Sequence, residues 1–597
     1  MQAQDNLKTT FCPGTAGKST IDGLLMNHRA INAEKVLVLG DDTRSFLSIV
    51  RSLGRQGLEV HASPFNFRAP ALKSRYIKRI HWLPYYLGDG SEWLNAIKQL
   101  LLKESYKLII PCDERTLLPL HWHRDEIGKI AGIAIPAANG VEIFFDKHKT
   151  RLLADSLGIP IAKGGYLSPD DNLKQLIAET GLPMAIKPTA SYTADRLYSR
   201  NKIIIAYDET AVQAGLEAAR DQPHIYEGFF PGQGVGLSIL AHKGNVLQAF
   251  EHHRVHELQG ASYYRVSASI SPPLMDAVQK MMQATQYTGI AMTEFRINHE
   301  TSEWILLEIN ARPWGSLPLP IALGIDFPFR WYQLLTHGVE IPMQNYRIGI
   351  YGRNLIPDIR YLRAQLQALR RQPLRLTRFM LSTISEYLRI FTKREVHDVF
   401  VIDDPAPVWQ ELRIILRDIF TRMSTHLSVW GRFRDRRLLT KALALQDTAE
   451  IAVVCQGNIC RSPFAGAFLE NALSQSMTSR FQVRSYGNLP REGITSPANA
   501  LQAAKSYGID LTRHRSRHFT HEAATRAQLI IVFDEINRRW IDERYPTLRV
   551  PILFLGSFGT HDRTIADPDG GTPTQFDQTY RLIAEATTGL AGRICNG

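Results

Sequence analysis

Apolar residues recur along this chain in two rhythms, and the changes of rhythm mark out its parts. Lys35–Leu39 (KVLVL) is a short unbroken apolar run ending in Gly40-Asp41-Asp42, which reads as a buried strand entering a turn. Phe46, Ile49, Val50 and Leu53 then fall three and four apart, the spacing of one helix face, and Leu58–His61 returns to strand. Strand, helix and strand recur through Leu108–Pro111, so 35–140 is expected to be a parallel α/β unit. From 141 to 345, helical stretches mix with strands whose apolar residues alternate, as in an antiparallel sheet. From 346 to 445 the pattern is helical: Tyr361, Leu362, Leu366 and Leu369 share a face, and Leu376, Phe379, Met380, Ile384, Tyr387, Leu388 and Phe391 continue it. Pro373, Pro405 and Pro407 punctuate this segment. Ile451–Val454 opens a final α/β domain, 446–597, and residues 1–34 read as a flexible polar leader.

Composition narrows this picture. A chain of 597 residues with 44% hydrophobic and 21% charged residues is expected to be a soluble globular protein of several domains. Five cysteines (Cys12, Cys112, Cys455, Cys460 and Cys595) are too sparse for a disulfide framework. With no apolar stretch resembling a signal peptide or a spanning helix, a cytoplasmic protein is expected. The net charge of +12 is concentrated: Arg347–Lys441 holds 19 Lys and Arg against 9 Asp and Glu, so the flanking domains are close to neutral. This segment admits two readings, helices packed on the preceding body or a basic face at 346–441 docking on an anionic membrane surface or an acidic partner. Nucleic acid is not expected, because no aromatic platform or base-reading motif accompanies the charge. Gly14-Thr-Ala-Gly-Lys-Ser-Thr20 resembles a phosphate loop but lacks the required first glycine, since Cys12 stands there, and no strand precedes it.

The final domain carries the sharpest chemistry. Ile451–Val454 leads into Cys455-Gln-Gly-Asn-Ile-Cys-Arg461 and then Ser462-Pro463, a strand, a loop and a helix start. Ser462 is expected to cap the helix, and Pro463 suits its first turn. A loop entering a helix N-terminus points backbone N–H groups at one spot and so makes a dianion site, to which Arg461 adds a planar fork. The same field favours the thiolate of Cys455, the nucleophile. The string Cys-x-Gly-Asn-x-Cys-Arg-Ser-Pro resembles the low-molecular-weight protein-tyrosine phosphatases. The likeness continues through Gly508-Ile-Asp-Leu, His514-Arg-Ser516 and Ala566-Asp567-Pro568. It implies that Cys455 attacks phosphorus, Arg461 holds the equatorial oxygens, Asn458 shapes the loop and Ser462 stabilises the thiolate. It also implies that Asp567 protonates the leaving group and then activates water, with no cofactor. In similar enzymes a pair such as Cys455 and Cys460 forms a reversible protective disulfide. Ile459 stands where arginine-phosphate-selective relatives carry Thr, which favours phosphotyrosine. The aromatic residues that many relatives place after Asp-Pro are replaced here by Asp569-Gly570-Gly571, which leaves a small phosphate ester open as a substrate beside a phosphotyrosyl protein.

The preceding half offers a second constellation. Lys147 lies in a helical stretch that ends at Gly158-Ile-Pro160, Lys187 on a strand, and Glu227 before a Gly-rich run. Glu294 and the pair Glu308 and Asn310 lie on two neighbouring strand patterns; the pair, two apart, faces one way, and hard oxygen ligands suit Mg²⁺. The order of these pieces, with Glu308-Ile-Asn-Ala-Arg312, resembles the ATP-grasp superfamily, nearest its carbamoyl-phosphate-synthase-like members. The likeness implies ATP held by Lys147 and Lys187, a hinge at Glu227, Mg²⁺ on Glu294, Glu308 and Asn310, and Arg312 on phosphate. Two departures stand: Thr189–Asp195 lacks the usual phosphate-covering glycines, and Gly234 occupies a position where relatives carry an acid.

The expected architecture is therefore α/β and α+β multidomain. It comprises a leader (1–34), a pre-ATP-grasp α/β domain (35–140), an ATP-grasp domain (141–345), a basic helical connector (346–445) and a doubly wound parallel-sheet phosphatase domain (446–597). The expected function is bifunctional: hydrolysis of phosphotyrosine through Cys455, and an ATP- and Mg²⁺-dependent ligase joining a carboxylate to an amine, neither of them identified. The alternatives are a phosphatase regulated by a non-catalytic nucleotide-binding module, or one acting on a small phosphate ester. A cytoplasmic location, peripheral to the membrane if the basic face docks there, completes the expectation.

Overall fold

The computed structural model describes residues 34–595, except 67, 195–196, 199, 202, 259–260, 427, 444–448, 476–480, 491 and 546. The leader with its Gly14–Thr20 stretch lies outside the described residues, apart from Glu34. The first sheet is parallel throughout, in the order Ile77–Ile80, Glu59–Ser63, Lys35–Leu39, Leu108–Pro111, Gly132–Ile133. Its central strand buries Val36, Leu37, Val38 and Leu39, because helices cover both faces, and that is why the strand is apolar without alternation.

Two further sheets follow, antiparallel except where Tyr351–Arg353 pairs in parallel with Glu395–His397. The smaller is ordered Gly164–Leu167, His224–Gly228, Met184–Pro188, Ile204–Ala206. Met184–Pro188 alternates buried and half-buried positions, as its sequence does. The larger sheet has seven strands: Trp304–Asn310, Gly289–Ile297, Gln233–His242, Asn245–Leu258, Ala261–Ala268, Tyr351–Arg353 and Glu395–His397. Its last two strands come from the segment read above as wholly helical. Three-residue strands are too short to show a period, so only the helices around them, Leu355–Leu369 and Pro373–Leu388, were legible.

These late strands are anchored by one buried arginine. Arg353 lies between the rings of Tyr264 and Tyr387, 3.7 and 4.5 Å from their centroids. It donates to Glu395 at 2.7 Å and pairs with Asp358. Two acids just before the helix Ala406–His426 tie it to the first domain: Asp403 accepts from Arg55 at 2.8 Å and Asp404 from Arg51 at 2.9 Å. The next helix, Ser428–Leu443, packs on the last domain. Its buried Asp435 accepts from Arg563 at 2.9 Å and Ser557 at 2.6 Å, and Leu439 enters that domain's core.

The last sheet is parallel, ordered Phe481–Gly487, Ala449–Cys455, Ala527–Val532, Ile552–Phe554. Helices Arg461–Gln475 and Pro573–Cys595 pack together on it through Phe464 and Tyr580, whose rings stack 4.2 Å apart. This domain meets the first one where Arg68 donates to the Asp542 carbonyl at 2.8 Å, and where His518 and Arg544 flank the Tyr85 ring. Among the described residues no helix is long and apolar enough to cross a membrane.

Candidate functional site

Cys455 ends the strand at which the last sheet reverses its winding, with Phe481–Gly487 on one side and Ala527–Val532 on the other. Ligands of open parallel sheets sit at this kind of switch point, outside the carboxyl ends of the strands. The loop 456–460 wraps this end and the helix begins at Arg461. Asn458 takes a left-handed backbone (φ 52°), which asparagine tolerates better than most residues. Every polar group of Asn458 is used. Its backbone N–H points at the Cys455 sulfur at 3.3 Å, and its amide donates to Ser462 Oγ at 2.9 Å. Its Oδ1 accepts from the Arg517 N–H at 2.8 Å, and its carbonyl accepts from His514 Nε2 at 2.7 Å. A carbonyl only accepts, so His514 carries its proton on Nε2, and burial holds its pKa down, favouring the neutral ring.

Ser462 corrects one expectation. The helix starts two residues earlier than a Ser462 cap requires, and the hydroxyl turns inward instead of onto the helix end. Ser462 Oγ lies 3.0 Å from Cys455 Sγ and 3.1 Å from the Tyr486 carbonyl. One hydroxyl proton faces two acceptors when the sulfur is a thiolate, so Ser462 can move its donation from the carbonyl to the sulfur as the charge forms. Pro463 falls in the first turn, where its missing N–H costs nothing.

Arg461 is buried, and its guanidinium is aimed by three partners. It donates to Asp534 Oδ2 at 2.6 Å, to the Ile565 carbonyl at 3.0 Å and to Asp567 Oδ2 at 2.5 Å. Burial pushes the Asp567 carboxyl above the usual carboxylate range, and Arg461 draws it back without cancelling the effect. A carboxyl raised in this way can hold a proton to donate. Cys455, Asn458, Arg461, Ser462 and Asp567 therefore surround one spot. Cys460 is buried in the same loop. Burial pushes its thiol up, its Sγ lies 3.9 Å from Asp569 Oδ1, and its carbonyl accepts from Tyr580 at 2.9 Å.

Three supporting residues escaped the sequence reading. Asp534 both caps the helix Glu535–Arg544 and grips Arg461, and only its capping pattern was visible. Arg517 acts through its backbone, which has no residue signature. Gly487 lies so near the loop that a Cβ there would meet Asn458 N and Gly457 C at 3.0 Å, so any side chain would press on the loop backbone.

The second constellation forms a cleft between the large sheet and the helix Lys147–Ser156, lined by Glu114, Lys147, Ser191, Glu308, Asn310 and Arg312. Glu294 and Glu308 face each other across neighbouring strands, beside a β-bulge that breaks the register after Glu294. The Asn310 amide reaches both carboxylates at 3.3 Å, so Glu308 and Asn310 share one face, as their two-residue spacing predicted, and Glu294 on the neighbouring strand joins them. The two acids diverge. Burial raises both, but for Glu308 the cations Lys147, Lys187 and Arg312 outweigh it and hold the carboxyl below its usual range. For Glu294, burial outweighs Arg254.

Most charges in and beside this cleft are already paired, those of Lys187, Glu227 and Glu294 lying beside its lining. Lys187 binds Glu227, which also accepts from Arg151 at 2.8 Å. Arg254 binds Glu294, and Arg312 meets Glu114 at 3.1 Å. Lys147 donates to Ser191 Oγ at 3.1 Å, and burial pushes its ammonium pKa down. Gly234 is crowded by Glu257, whose Oε1 accepts from its N–H at 2.9 Å and would lie 2.5 Å from a Cβ there. Among the described residues no group of three or more His, Cys, Asp and Glu forms a metal cluster. Two carboxylates and an amide oxygen still suit Mg²⁺ when phosphate oxygens complete its shell, because Mg²⁺ commonly binds through one or two protein carboxylates.

Comparison with known proteins bears mainly on the last domain. The family model described as low molecular weight phosphotyrosine protein phosphatase matches residues 450–596. The chain is 33% identical over 144 residues to the probable low molecular weight protein-tyrosine-phosphatase EpsP of Ralstonia nicotianae, an alignment spanning 24% of this chain and 94% of that protein. It is 35% identical over 146 residues to the protein-arginine-phosphatase of Geobacillus stearothermophilus, spanning 24% and 92%. An N5-carboxyaminoimidazole synthetase from Staphylococcus aureus, solved with ADP, aligns over 53% of this chain and 80% of its own at 14% identity and a TM-score of 0.42.

Proposed function

The chain belongs, through residues 450–596, to the low molecular weight phosphotyrosine protein phosphatase family, and from that premise we propose a bifunctional protein. Its last domain hydrolyses phosphate esters through a cysteinyl-phosphate. The carrying observation is that Cys455, Ser462, Arg461 and Asp567 meet around one spot at the end of the sheet. The Cys455 thiolate attacks phosphorus while the bond to the leaving oxygen breaks, and that oxygen takes the Asp567 proton. Asp567, now a carboxylate, takes a proton from water. The water oxygen bonds to phosphorus and the sulfur–phosphorus bond breaks, returning its electron pair to sulfur, where Ser462 donates to it. Arg461, fixed by Asp534, pairs the equatorial oxygens throughout. Ile459, half-buried in the loop, supports phosphotyrosine over phosphoarginine. Cys455→Ser tests the reading on an aryl phosphate, and retained turnover rejects it. Rates on phosphotyrosyl peptides against small phosphate esters decide the substrate class.

The preceding half binds ATP, with Lys147, Lys187 and Arg312 on the phosphates and Glu227 at the hinge between the sheets. Glu294, Glu308 and Asn310 would hold Mg²⁺, which supplies charge neutralisation on the phosphates when bound. The supporting observation is that Glu308 faces Glu294 and is held ionised by three cations. Release of ADP on offering paired carboxylates and amines tests for a ligase. ATP binding without turnover across such a panel favours a regulatory module instead.

A further inference from the structure

The helix Pro373–Leu388 buries none of its residues. Its inner side is only half-covered, by Leu376, Phe379, Thr383 and Tyr387. Its outer side is mostly apolar as well, with exposed Thr377 the one polar residue inside the stripe. Leu374, Leu381 and Leu388 recur seven apart with Ile384 among them, which at 3.6 residues per turn places all four within about 80° of arc. They are 88%, 64%, 58% and 55% exposed, and the turn that follows adds Phe391 at 87%. A water-facing helix surface normally carries polar residues on this side, so this stripe lacks a partner.

The charge around it has one sign. Arg375 and Arg378 border the stripe on the helix itself, Arg370, Arg371, Lys393 and Arg394 stand exposed just before and after it, and Arg363 is exposed on the preceding helix. Most acids of the same segment are tied up in ion pairs. Asp358 and Glu395 meet Arg353, Glu386 meets His256, Asp398 meets Arg265, and Asp403 and Asp404 meet Arg55 and Arg51. Among the described residues no carboxylate pairs with Arg363, Arg370, Arg371, Arg378, Lys393 or Arg394. An exposed apolar stripe bordered by unneutralised cations is the pattern of a helix lying in a bilayer interface. A second copy of this chain would bring the same positive charge against it.

We propose that Pro373–Leu388 lies on a membrane surface, with Leu374, Leu381, Ile384, Leu388 and Phe391 in the headgroup–acyl boundary. The flanking arginines and Lys393 then pair with anionic phospholipid headgroups. The protein rests on the bilayer without crossing it, in keeping with its lack, among the described residues, of a helix long and apolar enough to span one.

Flotation of the full chain with vesicles tests this. Phosphatidylcholine vesicles containing phosphatidylglycerol should carry at least about ten times more protein than pure phosphatidylcholine, and added salt should shrink the difference. The double variant Leu381→Asp/Leu388→Asp, whose side chains pack against little, should lose vesicle binding while hydrolysing an aryl phosphate in solution at the parental rate. The proposal is overturned by equal binding to both vesicle types, or by undiminished binding of the double variant. It is also overturned if the chain dimerises in vesicle-free solution, binds no vesicle, and becomes monomeric in the double variant.

Discussion

The two candidate sites differ in how much of their charge is tied up in internal pairs. Around Cys455 the donors gather at the sulfur: the Asn458 N–H points at it, the Ser462 hydroxyl lies within reach of it, and Arg461 is steadied by Asp534 and Asp567. In the cleft before it the ions answer one another, Lys187 with Glu227, Arg254 with Glu294 and Arg312 with Glu114. The first site has only the Arg461–Asp567 pair to give up to a dianion, and protonation of Asp567, which burial favours, loosens that pair. The second must exchange internal partners for ligand partners, so part of any binding energy there offsets the loss of existing pairs. Preorganisation of the first kind suits a chemical step, and re-pairing of the second kind suits closure on a ligand.

The largest expected effect falls on the phosphatase site alone. Cys455→Ser lowers aryl phosphate hydrolysis about a thousandfold or more, while ATP binding, read by calorimetry, stays within twofold of the parent. A change in both would break the separation drawn here. Asp567→Asn comes next, lowering turnover about a hundredfold for esters with poor leaving groups and far less for activated aryl esters. Because burial raises Asp567, the protonated acid persists above the ordinary carboxyl range. Rate against pH for a poor leaving group therefore falls on an alkaline limb displaced upward from that range, and this limb is absent in Asp567→Asn. In the cleft, Lys147→Ala weakens ATP binding about tenfold to a hundredfold without altering phosphatase turnover. The smallest effect sharpens the claim of preorganisation. Asp534→Ala frees the Arg461 guanidinium and costs about tenfold in kcat/KM with the thiol intact, as thiol titration can verify.

How much of this was legible depended on distance along the chain. The strand, loop and helix around Cys455 occupy consecutive residues, and each constraint leaves a residue type behind it: Asn458 for the left-handed turn, Pro463 for the first helical turn. Ser462 was misassigned because a serine at a helix start usually caps it, and only the inward path to Cys455 and Tyr486 shows otherwise. Asp567 was reachable only through a family resemblance, since Asp-Pro alone marks a turn. Asp534 and Gly487 act across long separations with residue types that have common local uses, so nothing in their neighbourhoods marked them. In the earlier half, the two-residue spacing of Glu308 and Asn310 was enough to place them on one face. The pairing of Arg312 with Glu114, nearly two hundred positions away, was not visible from either residue. The strands Tyr351–Arg353 and Glu395–His397 were hidden in a helical pattern by their shortness.

The central claim is that Cys455 carries the phosphoryl group between the two chemical steps. Slowing the second step in Asp567→Asn, mixing with p-nitrophenyl phosphate and quenching in acid should leave one phosphoryl group per chain, located by mass spectrometry on the peptide containing Cys455. A phosphoryl group on any other residue, or none while p-nitrophenolate is released in a burst, would contradict the account.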